Sequence, residues 1–132
     1  MSAIQVIDTN VLLRFLVGDN AQQYEQARSW LKEAEQGKRK IKISSVVIAE
    51  TCYVLESFYK KSRTSIAEVF ELFLSQKWLE VEDRDVMLAI WEQYRKKLRF
   101  VDSYLLVKAK LRGVDILTFD AALLKVYKEL EQ

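Results

Sequence analysis

Residues 3–18 read AIQVIDTNVLLRFLVG. Up to the acid, AIQVID is short, apolar and β-branched, the pattern of a buried strand ending at Asp8. TNVLLRFLVG, over 9–18, follows as a short helix stopped at Gly18. The same alternation continues outward. Asp19 with Gln22, and Asn20 with Gln23, both have capping-box spacing and open an amphipathic helix to about Gln36, with Gly37 ending it. Ile41 to Ser44 is a second short strand. Ser44 and Ser45 cap a helix from about Val46 to Lys60, whose apolar face is Ile48, Cys52, Leu55 and Tyr59.

Ser65 with Glu68 marks another capping box, for a helix to about Ser75. A third strand is expected over Trp78 to Val81, a helix from Asp83 to Lys97, and another from Val101 to Arg112 closed by Gly113. Asp115 to Phe119 is expected as a fourth strand and Asp120 to Leu130 as the last helix. Strands alternating with helices predict an α/β fold, a small central parallel sheet sandwiched between helices. No repeat, low-complexity tract or linker divides the chain, so residues 1–132 are expected to form a single domain. In such sheets the working site lies beyond the carboxyl ends of the strands.

Composition narrows the chemistry. The 132 residues are 50% hydrophobic and 30% charged, a globular composition. No run reaches the 18 or so apolar residues of a membrane span. MSAIQVIDTN has an acid where a signal peptide needs its apolar centre, and a single Cys52 makes no internal disulfide, so a cytoplasmic location is expected. There is no histidine, which excludes Ser-His-Asp triads, histidine bases and most zinc sites. With three glycines and no GxGxxG, there is no glycine-rich phosphate cradle. Carboxylates holding a metal are the most capable chemistry left. The net charge of +2 is too small to imply a polyanion, but basic residues bunch at 38–42, 60–63 and 94–99, two of the bunches beside Tyr59 and Tyr94. Each bunch alone reads as a solvated face; together they point toward a nucleic-acid surface.

Four acids stand out. Asp8 ends the first strand and Asp120 follows the fourth. Glu50 has Val46, Val47, Tyr53 and Val54 at helical spacing, and Asp102 has Leu98, Arg99, Leu105 and Leu106. Such apolar neighbourhoods predict that Glu50 and Asp102 face inward and need a cation, with Arg99 as the local candidate. Asp8, Asp102 and Asp120 also read as helix N-caps, a role aspartate fills well; Glu50, deep in its helix, does not. Two carboxylates 5 Å apart repel by roughly 3 kcal/mol at an effective dielectric of about 20, so converging acids take up protons or a cation. An all-oxygen site selects hard ions, Mg²⁺ or Mn²⁺.

The segments VIDTNVLLRFL (6–16), ISSVVIAETCYVL (43–55), FVDSYLLVKAKLRG (100–113) and ILTFDAAL (116–123) resemble the PIN domain, and within it the VapC-type toxin ribonucleases of toxin–antitoxin pairs. The resemblance implies a PIN-like α/β/α sandwich in which Asp8, Glu50, Asp102 and Asp120 bind Mg²⁺ or Mn²⁺. It implies that Asn10 and Thr118, with Ser44 a weaker candidate, orient those carboxylates. The implied activity is metal-dependent endonucleolytic cleavage of RNA. The implied partners are an RNA substrate, an antitoxin protein and a second copy in a homodimer, with no membrane. The chain departs from many members in lacking a proline before Glu50 and in having Ser103 after Asp102.

Other readings compete. Haloacid-dehalogenase-like phosphatases place a second Asp where Asn10 stands, and response-regulator receivers need paired acids near the first strand, which offers only Asp8. A non-catalytic binding module that kept the fold is the remaining alternative.

Overall fold

The computed structural model describes residues 3–96 and 98–130. Strands β1 (Ile4–Val6), β2 (Lys40–Ile43) and β3 (Leu79–Val81) form a parallel sheet in the order β1-β2-β3. Val6 lies across from Lys42, and Ile43 across from Val81. The ladder carries on past the strands: the Ile7 N–H donates to the Lys42 carbonyl at 3.0 Å and the Glu82 N–H to that of Ile43 at 3.1 Å. β2 reads KIKI and alternates as a half-covered strand must, with Ile41 and Ile43 buried.

α1 (Thr9–Val17) and α2 (Ala21–Glu35) follow β1, and α3 (Ser45–Ser57) and α4 (Arg63–Phe73) follow β2. α5 (Arg84–Ala89), α6 (Trp91–Lys96), α7 (Phe100–Arg112) and α8 (Ala121–Glu129) follow β3. Gly18 ends α1 at φ 71°, a left-handed conformation that strains any residue with a Cβ, and its N–H reaches the Arg14 carbonyl at 3.1 Å. Of the two capping boxes read ahead of α2, Asn20 makes the cap, accepting from the Gln23 N–H at 3.0 Å. Asp19 instead pairs with Arg14 and Tyr59.

Three expectations differ from the structure. α4 begins earlier than the Ser65 box implied, because Ser62 caps it by accepting from the Ser65 N–H at 3.1 Å. The helix expected over 83–97 is broken at Ile90 into α5 and α6, and Lys97 lies outside the described residues. Trp91 turns into the core there, and its indole N–H donates to the Met87 carbonyl at 2.6 Å. The strand expected over 115–119 does not form. Residues 114–119 join no ladder, and their polar groups are answered locally: Thr118 Oγ accepts from the Asp120 N–H at 2.9 Å, and Tyr127 donates to the Val114 carbonyl at 3.3 Å.

The core lies between the sheet and the helices after it. Trp91 is fully buried, stacked on Phe70 with centroids 5.2 Å apart and edge-on to Tyr94 at 5.4 Å. The Tyr94 hydroxyl donates to Glu56 at 2.6 Å, and Glu56 pairs with Arg63 at 3.1 Å, so the buried phenol is satisfied where α3, α4 and α6 meet. Cys52 sits beside them fully buried, and desolvation pushes its thiol far above the ordinary range.

A charged clasp ties α5 to α7. Arg112 binds Asp85 through two bonds, at 2.6 and 3.0 Å, while Tyr104 and Lys108 donate to Asp83 at 2.7 and 2.8 Å. The Arg112 bonds pull the Asp85 carboxyl from 3.8 down to about 2, and Lys108 first, then Tyr104, hold Asp83 low. A carboxyl with a depressed folded pKa stabilises the fold above its unfolded value, and that contribution is lost as pH falls through the folded value. The melting temperature is therefore expected to hold steady down to about pH 4 and to fall between about pH 4 and 2. Asp85→Asn should flatten part of that fall in thermal melts taken across this range; an unchanged profile would show that the clasp contributes nothing.

Candidate active site

The carboxyl edge of the sheet is the place where helices begin and backbone donors are left over. Continuing the β1–β2 and β2–β3 registers by two and one residues sets Asp8, Ser44 and Glu82 in a row across it. Asp8 caps α1, accepting from the Val11 N–H at 2.9 Å, and Ser44 caps α3, accepting from the Val47 N–H at 3.3 Å. Asp8 and Asn10, both exposed, line a crevice of about 190 Å³ with Arg14, Gln23, Gln26 and Trp30.

Glu82 was missed in the sequence, although it ends an apolar strand just as Asp8 does. Its carboxylate accepts the Ser45 N–H at 2.9 Å, and this bond holds its pKa below the usual value. It thereby supplies a second acceptor at the start of α3.

Glu50 does not face inward. Ile48, Cys52 and Leu55 fill the core, and at 100° per residue Glu50 falls about 160° from both Ile48 and Cys52. It is exposed, between Val46 and Tyr53, themselves 76% and 70% exposed. Asp102 is half-buried in the first turn of α7, beside the exposed Val101 and Leu105, and α7 packs against α3. Arg99 makes no ion pair with it among the described residues. Asp120 is exposed and caps α8, accepting from the Ala122 and Leu123 N–H groups at 2.9 and 3.1 Å.

None of the four acids is ion-paired with Lys or Arg among the described residues. Their oxygens suit Mg²⁺ or Mn²⁺ in kind. They are not gathered in this structure: among the described residues, no three acidic or cysteine side chains are grouped to hold a metal ion. Asp8 reaches the sheet edge, but Asp120 hangs on a segment outside the sheet.

The family model described as PIN domain matches residues 6–129. The chain belongs to the PIN domain family. It is 33% identical over 112 residues to the VapC ribonuclease of Aquifex aeolicus (strain VF5), an alignment covering 84% of this chain and 82% of that protein. No solved structure matches the chain. As a PIN domain the chain has the expected helix-flanked parallel sheet. No helix among the described residues is long and apolar enough to cross a membrane.

Proposed function

We propose that this PIN domain, one domain over residues 1–132, is a VapC-like endoribonuclease and the toxin of a toxin–antitoxin pair. In this reading RNA phosphodiesters are its substrate and Mg²⁺ or Mn²⁺ its cofactor. Asp8, Glu50, Asp102 and Asp120 are the ion's ligands; Asn10, Thr118 and Ser44 orient them. The observation that carries the reading is the 33% identity to a VapC ribonuclease over 84% of the chain. The four acids support it, since none is ion-paired with Lys or Arg among the described residues and each retains oxygens for a cation. A divalent ion offsets the negative charge that develops on a phosphodiester under attack. No step is assigned to it, because the acids are not grouped in this arrangement.

An antitoxin and a second copy of the chain are the proposed partners, and the cytoplasm the proposed location. Exposed Val46, Tyr53, Val101 and Leu105, beside Glu50 and Asp102, support a protein partner on α3 and α7. The ungrouped acids favour a second reading, a non-catalytic binding module that kept the fold.

One experiment separates them: RNA incubated with the full chain in Mn²⁺ or in EDTA. Cleavage in Mn²⁺ that EDTA abolishes is expected. RNA bound but uncut in both would support the module instead. Metal binding to the folded state is also expected to raise the melting temperature, by about 2.7 kcal/mol at a hundredfold excess over Kd, or roughly 8–10 °C for a chain of this size. A melting temperature indifferent to Mn²⁺ would remove the ion from the proposal.

A further inference from the structure

Three basic bunches run through the sequence, and the fold ties up much of two of them. Arg63 is taken by Glu56 and by the carbonyls of Tyr94 and Leu98, Arg95 by Glu71, and Lys96 by Glu92. The bunch at 38–42 is different. Arg39 pairs with Glu33, but Lys40 and Lys42 stand on one side of β2 and are ion-paired with no acid among the described residues. Lys40 lines a cavity of about 410 Å³ with Lys77, Trp78, Glu80 and Arg84, at the end of the sheet where β2 and β3 begin.

The cavity is net positive. Arg84 donates to the carbonyls of Leu74 at 2.7 Å and Gln76 at 3.1 Å, and to that of Leu79 as well. These acceptors are neutral, so the guanidinium is fixed in place while its charge is offset by no ion-paired acid among the described residues. Lys77 is exposed, in the turn that the Leu79 N–H closes on the Gln76 carbonyl at 3.2 Å, and it too has no ion pair there. Glu80, the acid among the lining residues, stands across the ladder from Lys42, which partly cancels it. Trp78 borders the same cavity half-buried, its indole N–H held by the Gln76 side chain at 3.2 Å.

We propose that this cavity anchors one nucleotide of a single-stranded RNA, its base against Trp78 and its phosphates beside Lys40, Lys77 and Arg84. Cations that follow the phosphates, next to an aromatic ring on which a base stacks, are how proteins hold single strands. That the strand is RNA rests on the nuclease reading; the cavity's charge and its indole do not. The candidate active site lies at the other end of the strands. Four residues of β2 separate Lys40 from Ser44, about 13 Å. A strand touching both is therefore at least about four nucleotides long, at roughly 3.4 Å each. The cavity adds affinity for RNA of that length or more and touches no bond that is cut.

Fluorescence anisotropy of a labelled oligouridylate tests this on the full chain in EDTA, across a salt series, with cleavage of the same RNA in Mn²⁺ measured in parallel. A length of about 12 nucleotides reaches both ends of the sheet. Lys40→Gln with Lys77→Gln, at two exposed side chains, is expected to weaken binding about tenfold at low salt. It should also reduce the salt slope of log K by about 1.4, the value for two phosphate contacts on a single strand. Trp78→Leu should weaken binding about fivefold or more with the slope unchanged. Circular dichroism checks its fold, and the lysine pair keeps the test decisive if the indole is needed for folding. Lys125→Gln with Lys128→Gln removes equal charge from exposed positions on α8 and should leave binding within about twofold. No RNA binding by the wild type, binding untouched by the pair at 40 and 77, or an equal loss from the α8 pair overturns the proposal, whether or not RNA is cut. Uridine monophosphate that binds the wild type but not the 40 and 77 pair, with RNA binding equal in both, reassigns the cavity to a free nucleotide and overturns the RNA anchor. The expected binding pattern without cleavage in Mn²⁺ upholds the anchor and removes the nuclease reading instead.

Discussion

Asp8→Asn is expected to lower Mn²⁺-dependent RNA cleavage by about a hundredfold or more while leaving the melting temperature nearly unchanged. The two halves of that result have different causes. Structurally Asp8 is a cap: its carboxylate takes the Val11 N–H at 2.9 Å at the first turn of α1. Asparagine caps about as well as aspartate. It gives up a favourable charge at the positive end of the helix, worth about 0.3–1 kcal/mol, and it relieves repulsion among acids if they gather. Chemically the substitution removes a negative oxygen donor from a site that has only oxygens to offer a hard cation, and disturbing even the outer partners of such sites costs about 10–100-fold. Asp8→Ala is the control, since it removes the cap as well and should cost a further ~1 kcal/mol. Wild-type cleavage by Asp8→Asn would leave Asp8 with the capping role alone.

Trp91→Ala carries the largest expected loss of stability, about 4 kcal/mol, which for a domain of this length lowers the melting temperature by roughly 12–16 °C. The side chain is fully buried, stacked on Phe70 at 5.2 Å, edge-on to Tyr94 at 5.4 Å and 6.0 Å from Phe100. Three ring contacts and the bond to the Met87 carbonyl vanish together. The cavity forms where α4, α6 and α7 meet, so no one helix can settle inward to fill it. Denaturant midpoints measure the effect; a loss below about 1 kcal/mol would mean that the neighbours collapse into the space.

The parts of the fold legible in the sequence were those set by local rules. Val-Ile-Asp before Thr-Asn marked the exit of β1, Asn20 and Ser44 marked helix starts, and Gly18 and Gly113 marked helix ends. What escaped was decided by packing. Glu50 was read as inward because its neighbours are apolar, yet the Ile48–Cys52–Leu55 face, read from the same helix, had already claimed the core. One helix cannot turn both faces in. The break at Ile90 depends on where the Trp91 indole finds a carbonyl, which no periodicity reveals. At the sheet edge, Asp8 was read as a strand end and Ser44 as a helix cap, both local signals, and both cap the helices that follow. Whether Asp120 joins them depends on a segment whose strand pattern is plain and whose pairing is absent here.

Cys52, enclosed between the core aromatics and protonated far into the alkaline range, has one more consequence. The native chain offers thiol-directed electrophiles no thiolate to attack. Any adduct at this position therefore counts molecules that have opened, and its rate of appearance reads the opening equilibrium without a denaturant.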